Sequence, residues 1–199
     1  MTHLAHSYCG RLLSVLGRHS EALVQGERAR ELDPVSYADS FLLGTFYHYG
    51  RQEDRAVQEL NDSININAHF WPAHLFLGKV FTEKHLYPQA LGELQKAQGP
   101  TLQALSAMGY VFASSGNESG ARKILNDLIQ RSKQSYVPPT HIAVVYAGLG
   151  EKNQAIAWLQ KAFAVKDAHL EFLGVEPVYD SLRSDPRFAD LIGRLGLPH

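Results

Sequence analysis

The chain has 199 residues, 45% of them hydrophobic and 20% charged, which is the composition of folded protein and not of a disordered or membrane-embedded chain. Nineteen Lys and Arg against twenty Asp and Glu leave a net charge of −1, so the basic excess that holds nucleic acid is missing. Cys9 is the single cysteine and cannot close an intramolecular disulfide. The apolar run Leu12 to Leu16 is too short for a signal-peptide core or a membrane span, which makes the cytoplasm the default location.

From the N-terminus, a helix is predicted around Gly10 and a second around Ala22, parted at Gly17, Arg18 and His19. A second pair follows around Gly44 and Ala56, parted at Gly50, Arg51 and Gln52. The third, around Gly78 and Ala90, has no glycine in its turn, but Pro88 is placed to open the second helix. The fourth surrounds Gly109 and Ala121 and breaks at Gly116; the fifth surrounds Ala143 and Ala155 and breaks at Gly150. In each pair the alanine comes 12 residues after the small residue, and successive pairs start 34, 34, 31 and 34 residues apart. A further position 7 beyond each alanine, at Ala29, Ser63, Ala97, Leu128 and Ala162, keeps the same stride.

Small residues recur this way where two antiparallel helices cross closely, because a longer side chain would hold the backbones apart. Bulky neighbours then fill the spaces beside them: Leu13, Tyr47, Phe81, Phe112 and Tyr146 on the first helices, Leu60, Leu94, Leu125 and Leu159 on the second. In the first pair Gly26 stands where a leucine is expected. Glycines 17, 50, 116 and 150 are expected to supply the left-handed residue that stops each first helix. The missing three residues of the fourth start fall around Gln98, Gly99 and Pro100 and predict an irregular connection there. After the fifth pair, Ser184, Asp185 and Pro186 announce a last helix with Phe188, Leu191, Ile192 and Leu195 on one face, stopped at Gly196 and Pro198.

Trp71 to Gly78, followed by Phe81, Ala90, Leu94 and Ala97, resembles the tetratricopeptide (TPR) repeat, and Asp33 and Pro34 stand at that family's closing proline. The resemblance implies an all-α, right-handed solenoid of about five helix pairs, residues 3–36, 37–70, 71–101, 102–135 and 136–169, with a cap over 170–199, forming one domain. The segment Val178 to Phe188 also resembles the end of TPR regions in bacterial multidomain regulators, where such arrays follow winged-helix, kinase or cyclase domains. The first repeat begins almost at Met1 with no helix before it, which suggests a domain excised from a longer protein.

Such arrays present the first helix of each pair along a concave groove. Projecting that face gives Tyr8 and Arg11, then Phe41, Thr45, His48 and Tyr49, then Phe76, Lys79, Thr82 and Glu83, with Ser106, Tyr110, Ser114, Thr140 and His141 further along. The stripe mixes aromatic and neutral polar groups, and buried aromatics carry much of the energy at protein interfaces. The expected function is a protein-interaction scaffold that binds a peptide or partner helix, as the regulatory part of a larger bacterial signalling or transcriptional protein. For Phe41 and Phe76, packing between neighbouring helices competes with that role. Self-association into a homodimer and small-ligand sensing are the alternative functions.

Other chemistry is not expected. His3, His6 and Cys9 share a helical stripe but drift across its face, lack a fourth ligand, and place Cys9 at a repeat position expected to be interior, so no metal site is assigned. No nucleophile elbow or phosphate loop is present, so neither enzymatic activity nor a cofactor is expected. Arg11 and Lys79 without the companion asparagines make a terminal-carboxylate clamp a poor fit, and no direct nucleic-acid or membrane partner is expected.

Overall fold

In the computed structural model, residues 2–97 and 101–198 are described, so the connection around Gln98, Gly99 and Pro100 lies outside them. The chain divides into two compact units, Met1–Gln98 and Gly99–His199.

Among its described residues the first unit contains six helices in three antiparallel pairs: α1 (His3–Val15) with α2 (His19–Leu32), α3 (Tyr37–Tyr49) with α4 (Glu53–Ile66), and α5 (Trp71–Glu83) with α6 (Tyr87–Lys96). Thr2 and Ser36 cap α1 and α3 by accepting the amides of Ala5 and Asp39. The stride of small residues is the stride of the helix crossings: Ala22, Ala29, Ala56, Ser63, Ala90 and Ala97 are all fully buried. A β-carbon on Gly44 would lie 2.8 Å from Leu60, and one on Gly78 would lie 2.7 Å from Leu94 and 3.2 Å from the Ala90 carbonyl oxygen. Gly26, out of pattern in the sequence, admits Leu43 and Phe46 from the next pair. The core accordingly runs from Ala22 through Phe46 and Leu60 to Leu77 and Val80.

Gly78 and Gly92 respond oppositely to the same substitution. Gly78→Ala should cost about 1–2 kcal/mol, because overpacking against Leu94 and the Ala90 backbone outweighs the gain in helix propensity. Gly92, inside α6 with open space beside it, should gain up to about 1 kcal/mol on becoming alanine. Urea titration of both variants measures the difference in sign.

The second unit pairs α7 (Leu102–Ser114) with α8 (Glu118–Ser132) and α9 (Pro139–Gly148) with α10 (Lys152–Ala164). Ala121, Leu128, Ala155 and Ala162 are fully buried at its crossings, and Val145 and Ile124 close over Gly109. Two 3-10 segments, Ala168–Phe172 and Pro177–Leu182, lead to α11 (Pro186–Arg194), capped by the Asp185 carboxylate accepting the Arg187 amide at 2.9 Å. Leu173, Leu182, Phe188, Leu191 and Ile192 lay an apolar lid on Ala155, Leu159 and Ala162, so the final helix closes the end of this unit as its sequence pattern predicts.

Two local expectations are corrected. Gly17, Gly116 and Gly150 do take positive φ, but Gly50 has φ −80° and Arg51 carries the left-handed turn at φ 61°; His85 does so at φ 59° in the turn without glycine. Cys9 is exposed instead of interior. Its counterparts one and two strides on, Leu43 and Leu77, are both 2% exposed because a preceding pair covers them, whereas among the described residues nothing covers α1 on that side.

Candidate functional site

In the first unit the projected residues converge on a seam of rings between α3 and α5. Phe41 meets Phe70 edge-on at 5.2 Å and Phe76 at 5.4 Å, and Tyr37 adds a tilted contact to Phe70 at 4.9 Å. Phe76 also lies edge-on to Tyr49 at 6.1 Å and to His48 at 6.3 Å. The Lys79 ammonium stands 4.8 Å from the centre of the Phe76 ring. Phe41, Phe70, Phe76, Lys79 and Glu83 are all half-buried, leaving rings and a cation at one surface.

Other projected residues lie deeper. Thr45 is buried and donates to the Leu42 carbonyl, and Tyr49 is 3% exposed. His48 is 1% exposed, with Nδ1 2.9 Å from the Glu53 carboxylate and Nε2 buried without a hydrogen-bond partner. These residues shape the seam from beneath. Tyr8 is 67% exposed on α1, where Leu4 and Leu12 are exposed as well, and Arg11 is half-buried. Phe70 lies outside the projected face because it is the N-cap residue of α5, one stride after Ser36 at the same place before α3; its aromatic character beside Trp71 is the signal that could have found it.

In the second unit Tyr110 is half-buried against Gly148, and His141 is buried with its ring 4.8 Å from that of His169. His169 belongs to a network that the projection missed. The Asp167 carboxylate accepts the Thr140 amide at 3.1 Å and hydroxyl at 2.7 Å, together with the His169 amide at 3.1 Å and ring Nδ1 at 2.9 Å. Burial pushes the Asp167 pKa up, but these hydrogen bonds outweigh it and hold the group well below the carboxylate range.

Two further clusters lie in the first unit. An open cavity of about 600 Å³ on the second-helix side is lined by Glu27, Arg30, Glu31, Tyr47, Arg55 and Glu59. Its charges are largely matched internally: Tyr47 donates to Glu27 at 2.8 Å and Arg30 to Glu59 at 3.2 Å, with burial still raising the Glu59 pKa. His3, Asp33 and Asp39 each bring one ligand atom within 4.8 Å of the others, the closest approach to a metal-binding set among the described residues. Its short contacts satisfy Asp39 within the protein, through His3 at 2.7 Å and the Ser7 hydroxyl at 2.5 Å. Among the described residues no helix is long and apolar enough to cross a membrane.

No family model matches the chain. Over 141 residues it is 26% identical to the BBSome complex member BBS4 of Bos taurus, covering 69% of this chain but only 26% of that protein's length. Solved structures agree over nearly the whole chain: a tetratricopeptide repeat protein of Parabacteroides merdae (TM-score 0.66, 16% identity, covering 98% of this chain and 77% of that one). A thermophilic TPR protein of Thermus thermophilus matches with TM-score 0.67 at 20% identity over 96% of this chain and 99% of its own, and PilF of Pseudomonas aeruginosa with 0.60 at 16% over 97% and 91%. At these identities the likeness establishes the fold: an all-helical TPR-type solenoid.

Proposed function

We propose that the chain is a non-catalytic interaction scaffold whose first unit binds a peptide or partner helix on the seam between α3 and α5. The half-buried Phe76 ring carries this reading. It is held edge-on by Phe41 and Tyr49 and overlain by the Lys79 ammonium, so it offers a fixed apolar platform beside a cation. Rings held in place before binding lose little entropy on contact, and binding energy at interfaces concentrates on such anchors. The matching partner segment places an aliphatic or aromatic side chain on Phe76 and a carboxylate toward Lys79. TPR structures are the fold neighbours of the chain, which supports a scaffold role. The likeness of residues 178–188 to the ends of bacterial regulator arrays supports a place in a larger regulatory protein.

Selection of a displayed peptide library on the full chain tests this proposal. Enriched peptides should combine acidic and apolar residues, and Phe76→Ala should weaken them by about 2 kcal/mol. Lys79→Glu should reject the acidic peptides by tenfold or more while the helix content stays unchanged. Affinities indifferent to both variants would remove the seam as the binding surface.

A further inference from the structure

His74, in the first turns of α5, is 6% exposed, and both of its ring nitrogens meet oxygen. Nδ1 stands 2.7 Å from the Glu93 carboxylate of α6, and Nε2 stands 3.2 Å from the carbonyl oxygen of Ala68 in the α4–α5 turn. An ionised carboxylate and a carbonyl can only accept, so the arrangement needs two donors, and only the imidazolium supplies two. A proton on Glu93 is the other solution, and Lys96 opposes it from 2.7 Å on the same carboxylate. Burial pushes the Glu93 pKa up, but the hydrogen bonds from Lys96 and His74 outweigh it and leave the group below its ordinary value. The charged and titratable groups around the ring are thus Glu93 and Lys96 on α6 and the exposed His69 beside Ala68; among the described residues no group of α3 or α4 forms an ion pair with it.

This ionic contact is confined to one repeat. Two strides of 34 earlier the same positions are His6 and Gln25, 2.7 Å apart, where a neutral amide faces the ring. One stride earlier they are Ser40, which donates to the Ser36 carbonyl, and Glu59, which receives Arg30. Of the three pairs in the first unit, α5–α6 alone sets a histidine against a carboxylate here, and α5 is the helix that bears Phe76 and Lys79.

The Ala68 oxygen lies next to the seam. Ala68 and His69 are the central residues of a turn closed by the Phe70 amide donating to the Asn67 carbonyl at 3.1 Å, and Phe70 is the ring packed on Tyr37 and Phe41. When His74 gives up one proton, the other stays on Nδ1, because a hydrogen bond to a carboxylate is the stronger of the two. Nε2 then turns a lone pair on the Ala68 oxygen, and two acceptors at that distance repel. Ala68 and His69 are exposed, so the central peptide of the turn can swing toward water and carry Phe70 with it.

We propose, building on the seam as the peptide site, that His74 is a proton-operated clasp on the α4–α5 turn. As imidazolium it fixes Phe70 against Tyr37 and Phe41 and keeps the seam in its binding shape; on losing a proton it releases that edge. Both hydrogen bonds are complete in acid and one is lost as the pH rises, so peptides selected on the seam should bind about fivefold or more tightly at about pH 5 than at about pH 8.

Glu93→Gln tests the clasp, since the His6–Gln25 contact shows that the fold accepts an amide against this histidine. An amide can donate to Nδ1 and leave the neutral ring its Nε2 proton for Ala68, so this variant should stay clasped across the whole range. In the wild-type chain, nitrogen NMR of the His74 ring should show two protonated nitrogens in acid and Nδ1 alone protonated at the alkaline end, and the Phe70 ring resonances should move with the same midpoint. In Glu93→Gln they should stay in place, and peptide affinity should change by less than about twofold more than the pH-dependence of the other groups, read from His74→Gln, which is released at every pH. His48, beneath the same seam, titrates in all three proteins and cancels in the comparison. A ring that never carries two protons, or Phe70 resonances that ignore its titration in the wild type or follow it in Glu93→Gln, overturns the clasp. Should Glu93→Gln fail to fold, Phe70 resonances that still follow pH in His74→Gln do the same. Affinity that is flat with pH while Phe70 responds overturns the control of binding; absence of any seam-dependent peptide at either pH overturns the seam as the binding surface and that control with it, while the ring and Phe70 resonances still decide the clasp.

Discussion

Truncating Phe46 to alanine should destabilise the first unit by about 3–5 kcal/mol, the cost of removing a fully buried phenylalanine from a site that cannot collapse. The ring is 1% exposed and occupies the space left by two glycines, with its edge where a β-carbon of Gly10 would sit at 2.6 Å and one of Gly26 at 3.0 Å. Neither glycine has a side chain that can move into the void, and the two helix pairs are held apart by their other contacts. Urea denaturation followed by hydrogen exchange at the amides of α1 to α4 measures the loss. Leu12→Ala is the internal control, because Leu12 is the same repeat position one stride earlier yet 61% exposed. It should change stability by less than about 0.5 kcal/mol. Similar losses in both variants would mean that the pairs do not dock through Phe46.

Replacing Asp167 by alanine should cost the second unit about 2–4 kcal/mol, because the carboxylate is 5% exposed and its removal strands the buried Thr140 donors. The same residue makes stability depend on pH. Its folded pKa is depressed below the ordinary 3.8, so the unfolded state takes up the proton first as the pH falls. The stabilisation is therefore complete above the ordinary aspartate range and is lost progressively below it. Wild type and Asp167→Asn should differ most near neutrality and converge in acid, as read by urea midpoints at pH 7 and pH 3. Comparing the two proteins removes the contribution of other carboxylates, including Asp185, which Arg187 holds down to about 2. A difference that stays constant with pH would show that Asp167 acts through shape alone.

The sequence shows the helix crossings clearly because they need small residues at fixed intervals, and Ala22, Ala56, Ala90, Ala121 and Ala155 all proved fully buried. The final helix was equally legible, since Asp185, Pro186 and Gly196 are local signals that need no knowledge of the rest of the chain. The site was less so. A helical projection gives the direction of a side chain but not what lies above it, so it placed Thr45, His48 and Tyr49 on an open stripe although Glu53 and Phe76 press against His48 from other elements. Cys9 failed for the converse reason: a repeat position predicts burial only where a neighbour covers it. The Asp167 network joins positions 27 residues apart through hydrogen bonds that leave no periodic trace.

The glycines and alanines at the crossings also determine how the molecule bears change in its own sequence. An ordinary core is hurt chiefly by shrinkage, but Ala22, Ala56, Ala90, Ala121 and Ala155 have almost nothing left to lose and suffer mainly by growth. Their opposites, Leu60 and Leu94, fill the spaces over Gly44 and Gly78 and suffer mainly by shrinkage. A survey of tolerated substitutions would therefore show paired columns of opposite size preference, 16 residues apart in each of these two repeats. Compensating exchanges between those columns would trace the helix contacts without any coordinates.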